Sequence, residues 1–250
     1  MNKYKYLILA LFTILVFGSC EKDECSEASF NLSLNTYVDE ELFVLNTSMY
    51  DDYMNRKYRV ELLKFYLSNC ALEKNDGTMV PITDVVLVDA ASESPLSMEV
   101  TIETGTYVNL HFSIGLDSVM NALDPANFLS SHPLSIANNT YWSWASKYKF
   151  FMLEGRVDSQ SDGNPDATFS YHSGFNSLYR ELSLPLNDFC VTEEGSALVL
   201  QMNLASVVNG TSGIVDFVDQ PFSHAVNNYE LVEVISNNLL DAFTVYDSND

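Results

Sequence analysis

A period of two runs through this chain and leaves it few architectures. Apolar side chains recur at alternate positions in Ser29-Phe30-Asn31-Leu32-Ser33-Leu34, in Tyr107 to Ile114, and at Leu198, Leu200, Met202 and Leu204. Successive side chains of an extended strand point to opposite faces, so each stretch buries one face against a core. Tyr58 to Leu72 reads as strands around a bend, with Asn75-Asp76-Gly77-Thr78 as the turn that follows. Val85 to Asp89 reads as a continuous buried strand. Met98 to Ile102 and Tyr107 to Ile114 flank Glu103-Thr104-Gly105 as a hairpin would. Near the end, Val226, Tyr229, Val232, Ile235 and Leu239 change to helical spacing, which predicts one terminal helix over Ala225 to Ala242. The expected fold is mainly β: an antiparallel β-sandwich with long connecting loops and a C-terminal helix.

The first 19 residues read as a secretory leader. Lys3 and Lys5 precede an apolar run, Tyr6 to Phe17, that ends in Gly18-Ser19 before Cys20. The run is short for a membrane span, and small residues before a cysteine match a bacterial lipobox. Residues 1–19 are therefore expected to be a lipoprotein signal peptide, with Cys20 lipidated and residues 20–27 a charged tether. Residues 28–247 are expected to form one domain, a length that suits a single core. Three cysteines remain in an oxidising compartment, Cys25, Cys70 and Cys190. Any of three pairings is open, among them Cys70 with Cys190. Twelve basic residues face 34 acidic ones, a net charge of −22. This excludes nucleic acid and anionic membrane surfaces as natural partners, so the membrane is met through the lipid alone.

Chemistry-bearing residues gather around Tyr141 to Arg156, which holds both tryptophans, Trp142 and Trp144. If this stretch is extended throughout, the two indoles share a face with Phe150 and Met152. A long connection, Gly115 to Thr140, leads into it, and long loops are more often functional than short ones. In Phe169-Ser170-Tyr171-His172-Ser173-Gly174, His172 shares its face with the small residues Ser170 and Gly174. It has room to approach a second strand or a ligand. His111 alternates against Leu110 and Phe112 and reads as a surface or rim histidine. Asp158 to Asp166 is rich in oxygen ligands but lacks calcium-loop spacing, and reads as a polar turn. Nucleophile elbows, zinc-protease motifs and phosphate loops are absent, so no catalytic residue is assigned and a binding protein is expected rather than an enzyme.

Several of these pieces, in order, resemble one family. They are Leu63 to Asn69, Ile114-Gly115-Leu116-Asp117, Leu123-Asp124-Pro125, Tyr141-Trp142-Ser143-Trp144, Lys147-Tyr148-Lys149-Phe150, Leu153-Glu154-Gly155-Arg156, Tyr171-His172-Ser173-Gly174 and Ser223-His224. Together they are similar to the MbnP-like family of periplasmic copper-binding proteins, over about residues 28–245. The resemblance implies a β-rich extracytoplasmic lipoprotein of the Bacteroidetes type, held at the outer membrane and either periplasmic or surface-exposed, with no catalytic activity. It implies a copper ion bound by histidines, here His172 and His224, with a tryptophan, here Trp142 or Trp144, oxidised to kynurenine by a MauG-like di-haem partner. An intact indole has an N–H donor and no lone pair for a metal, whereas the ring-opened aryl amine has one. One position departs: a related copper protein has histidine two places after its modified tryptophan, where Trp144 stands if Trp142 is the counterpart. The alternative is a metal-free cell-surface module that recognises sugar or peptide through exposed aromatics.

Overall fold

The computed structural model describes residues 26–93, 96–143, 145–224 and 226–247. The leader, Cys20, Cys25 and Trp144 lie outside the described residues. In chain order the strands are β1 (Glu27–Val38), β2 (Glu41–Leu42), β3 (Tyr50–Asp51), β4 (Lys57–Lys74), β5 (Met79–Asp89), β6 (Ser97–Glu103), β7 (Gly105–Ile114) and β8 (Tyr141–Trp142). They continue as β9 (Lys147–Val157), β10 (Ala167–Gly174), β11 (Arg180–Val191), β12 (Ser196–Asn203), β13 (Asn209–Gly210), β14 (Gly213–Ile214), β15 (Phe222–Ser223) and β16 (Phe243–Asp247). Three α-helices join them: α1 (Ser118–Asn121), α2 (Leu204–Val208) and α3 (Tyr229–Asn238).

Two sheets carry the fold, as a β-sandwich requires. The smaller runs β16-β12-β1-β2 with β6 also on β1, and the larger runs β11-β7-β4-β9-β10-β15 with β3 and β5 on β4 and β8 on β9. Most ladders are antiparallel, but β1 pairs β12 and β10 pairs β15 in parallel. The inward phase of each strand fills one core: Phe30 and Leu32 of β1 and Leu198 and Leu200 of β12 meet Phe65, Leu67, Phe151, Leu153, Phe169 and Tyr171 of the larger sheet. Each such fully buried side chain contributes on the order of 2 kcal/mol of hydrophobic stabilisation.

The larger sheet buries its outer face as well. Tyr66, Tyr148 and Phe150, in the opposite phase to Phe65 and Phe151, pack with Leu116 and Leu134 in a second apolar cluster. The connection Gly115 to Thr140 covers them, and polar anchors tie it down. Asp117 caps α1 by accepting from the N–H groups of Val119 and Met120. The Tyr148 hydroxyl donates to the Leu134 carbonyl at 2.9 Å, and Tyr66 meets Thr140 Oγ1 at 2.6 Å. The long loop is thus a lid fixed to the sheet, and it delivers the chain to Tyr141.

Four expectations are corrected. Met98–Ile102 and Tyr107–Ile114 form no hairpin: β6 pairs β1 while β7 pairs β4 and β11, because the chain crosses between sheets at Thr104-Gly105, where Gly105 takes φ +140°. Tyr58 to Leu72 lies within one long strand that bends at β-bulges, one of them next to Asn69 at φ +51°. Val85 to Asp89 belongs to β5, which pairs only β4 and leaves several of its side chains half-buried. The terminal helix spans only Tyr229–Asn238 and gives way to a 3-10 turn and then β16, which returns to pair β12.

Candidate metal centre

Strand register assembles the site on the outer face of the larger sheet. In the antiparallel β9–β10 ladder, Ser170 faces Glu154 and His172 faces Met152, so all four project from one side. In the parallel β10–β15 ladder, Tyr171 faces Ser223. His224 is the next residue after that pair and comes to lie beside His172. From the opposite direction β8 pairs β9, Tyr141 against Tyr148 and Trp142 against Lys147, and this tight return sets the Trp142 indole over the two imidazoles. The stretch 141–156 is therefore not one extended segment: β8 ends at Trp142 and β9 begins at Lys147, and the two pair as arms of a hairpin.

The three rings converge. The Trp142 centroid is 5.2 Å from that of His172 and 5.6 Å from that of His224, and the two imidazoles lie 4.9 Å apart at 18° from parallel. Both Nε2 atoms reach the Ser170 hydroxyl, at 3.4 Å from His172 and 3.2 Å from His224. His172 Nε2 also lies 2.6 Å from Glu154 Oε1. His172 is 7% exposed, and its Nδ1 is buried with no hydrogen-bond partner among the described residues. Lys149, itself buried, holds its ammonium 5.0 Å from the Trp142 ring centroid.

The electrostatics favour a neutral His224 imidazole beside a fixed carboxylate. The hydrogen bond from His172 holds the Glu154 carboxyl below the usual range, against the opposing effect of burial. Burial pushes His224 down, and the nearby charges of His172 and Lys149 add to it while Glu154 opposes it. Burial also lowers Lys149. A neutral imidazole carries one bare nitrogen and can ligate a metal.

Of the residues expected to form a site, Trp142, His172 and His224 come together. Trp144 lies outside the described residues, as does Cys20. Cys70 and Cys190 do not pair. Among the described residues both are free thiols, Cys70 buried at a bulge of β4 and Cys190 exposed on β11, where its neighbour Phe189 takes the inward position. Glu154, Ser170 and Lys149 were missed. The signal that finds the first two is the register of the hairpin around Asp162-Gly163, which sets Glu154 opposite Ser170. The Asp158 to Asp166 loop is a polar turn, as expected: Asp158 accepts from the N–H groups of Gln160, Asp162 and Gly163, which engages its carboxylate. His111 sits on the rim and pairs with Glu73 at 2.7 Å. Among the described residues no group of three or more His, Cys, Asp or Glu side chains is arranged to hold a metal ion. Two imidazoles are too few for the closed four-ligand set of a structural zinc site.

A family model for MbnP matches residues 27–227, which include Trp142, Glu154, Ser170, His172 and His224. The chain belongs to the MbnP family. A solved structure, MbnP from Methylosinus trichosporium, superposes with a TM-score of 0.53 at 14% sequence identity, covering 89% of this chain and 99% of that one. At that identity the likeness to the Methylosinus MbnP is one of fold. No curated protein matches. The MbnP family match ends at residue 227, just before α3 and β16 complete the sandwich.

Proposed function

We propose that this MbnP-family chain is an extracytoplasmic lipoprotein that captures copper on the outer face of its larger sheet, with His172 and His224 as imidazole ligands and Trp142 as the wall of the site. The observation that carries this reading is the convergence of Trp142, His172 and His224, with a buried, unpartnered Nδ1 on His172. An unsatisfied buried ring nitrogen is costly unless something binds it. Imidazole nitrogen is a suitable donor for copper, and the paired imidazoles fit such an ion better than a carboxylate-demanding hard cation. An aryl amine at Trp142, produced by a di-haem oxidase partner, would add the nitrogen that the intact indole lacks. The leader and Cys20 would place the protein at the outer membrane, and the absence of nucleophile or phosphate motifs fits a binding protein rather than a catalyst.

The aromatic-surface alternative asks for indole faces open to a sugar or peptide. Trp142 instead turns toward two imidazoles and an ammonium, which favours the metal reading. The deciding experiment is copper content and peptide mass of protein purified from its native host. Near-equimolar copper with a ring-opened residue at Trp142 or Trp144 supports the full reading, and copper with both indoles intact supports the two-imidazole site alone. A metal-free protein that loses added copper(I) to a modest competitor refutes it.

A further inference from the structure

We propose that Glu154 is a positioning residue: it holds His172 as the Nε2–H tautomer and so makes the buried Nδ1 the atom that meets the metal. The metal half of this inference rests on the function proposed above, whereas the tautomer half stands on the chain alone.

An ionised carboxylate accepts hydrogen bonds and has no proton to give. With Glu154 Oε1 at 2.6 Å from His172 Nε2, the proton between them belongs to the ring nitrogen. The remaining question is Nδ1. This atom has essentially no solvent contact and no partner among the described residues, on a residue that is 7% exposed. A proton there would be an N–H without an acceptor among the described residues, shielded from solvent beside the ring of His224 and under the indole of Trp142. The neutral ring with a bare Nδ1 is the form that leaves no stranded proton. Its lone pair meets no donor among the described residues, which leaves Nδ1 as the ring atom available to a ligand.

The neighbours fit this assignment. Ser170, opposite Glu154 across the β9–β10 ladder, has the closer contact of its hydroxyl with His224 Nε2, at 3.2 Å, while His172 Nε2 is committed to the carboxylate. A carboxylate that accepts the far N–H of a ligating imidazole fixes its orientation and raises its basicity. Direct ligation by Glu154 fits less well, since no group of three metal-binding side chains converges among the described residues. Glu154 is half-exposed, so changing it leaves the core intact.

The test is ring-nitrogen NMR on full-length protein with 15N-labelled histidine, which has four such residues, with His172→Gln to assign the signals. In the wild type His172 is expected to show a protonated Nε2 and a bare Nδ1. In Glu154→Ala the preference is expected to be lost, and in Glu154→Gln, whose amide oxygen still accepts, to be largely kept. Added copper(I) is expected to move the Nδ1 resonance while Nε2 keeps its proton, and Glu154→Ala should bind copper(I) about 10–100-fold more weakly than wild type. A wild-type His172 protonated on Nδ1, an unchanged tautomer in Glu154→Ala, or copper(I) displacing the Nε2 proton would each overturn the proposal. A ring with the expected tautomer that binds no copper(I) instead sinks the metal reading of the site, and the donor role of Nδ1 with it.

Discussion

His172 and His224 stack ring on ring, 4.9 Å between centroids, although 51 residues separate them in the chain. The parallel pairing of β15 along β10, with Ser223 opposite Tyr171, is what sets them side by side. The Ser223 hydroxyl reinforces it: its one O–H is shared between the carbonyl oxygens of Asn227 and Asn228, each 2.8 Å away, which ties β15 to the start of α3.

Removing either imidazole should therefore cost affinity without costing the fold. His172→Ala and His224→Ala are each expected to weaken copper(I) binding at least about tenfold, and the double variant to abolish it. Competition against a chromophoric chelator reads this directly. Unfolding midpoints should stay near wild type for His224→Ala, whose ring is only partly buried. A double variant that competes as well as wild type would place the copper elsewhere.

Acid should destabilise the site from two directions. Burial lowers His224 below its ordinary value of 6.5, so the unfolded chain takes up that proton first and stability falls as pH drops through the region just below 6.5. The hydrogen bond from His172 lowers Glu154 below its ordinary 4.5, so its contribution is present above 4.5 and is lost as pH falls through the lowered value. Urea midpoints followed from pH 7.5 down through the acid range below 4.5 should decline in the wild type, with the upper part of the decline reduced in His224→Ala and the part below 4.5 in Glu154→Gln. Parallel curves for all three proteins would show that other groups govern acid stability.

Gly174 controls the hairpin that carries Trp142. A Cβ at this position would collide with the Ser146 side chain and lie 2.9 Å from the Tyr148 carbonyl oxygen. Gly174→Ala is expected to cost about 1–3 kcal/mol, as overpacking does, and to shift the turn between β8 and β9. Urea unfolding gives the cost. Tryptophan emission gives the displacement, since Trp142 lies on β8, the first arm of that turn.

The two described thiols should differ sharply in reactivity. Burial pushes Cys70 up to about 12, while Cys190 is exposed. A maleimide is expected to label Cys190 in the native protein within minutes and Cys70 only after unfolding. Non-reducing peptide mapping that recovers the two as one linked peptide would contradict the free-thiol structure.

Much of the sandwich was legible as alternation, because Phe30, Leu32, Leu198 and Leu200 each obey the period of two that a one-sided core imposes. The error at Glu103-Thr104-Gly105 has a local cause: a glycine at positive φ ends a hairpin or turns a corner between sheets, and flanking strands look alike in both cases. β16 was hidden because Phe243 and Val245 continue an apolar run that helical spacing already explained. At the site, His172 could be singled out from its small neighbours. Glu154 could not, since its role depends on strand register and carboxylates are abundant in this chain.

The rings of Trp142, His172 and His224 sit on the side of the larger sheet that the sandwich core never touches. Phe151, Leu153, Phe169 and Tyr171 alternate with the site residues along the same two strands and hold the fold from the other side. The backbone of β9 and β10 thus works as a partition: the sandwich core lies on one surface, and on the other the three rings sit alongside the apolar cluster of Tyr148 and Phe150. A chain built this way holds its ring cluster apart from the sandwich core, so that a change at Trp142 or His224 leaves the packing of Phe151, Leu153, Phe169 and Tyr171 in place.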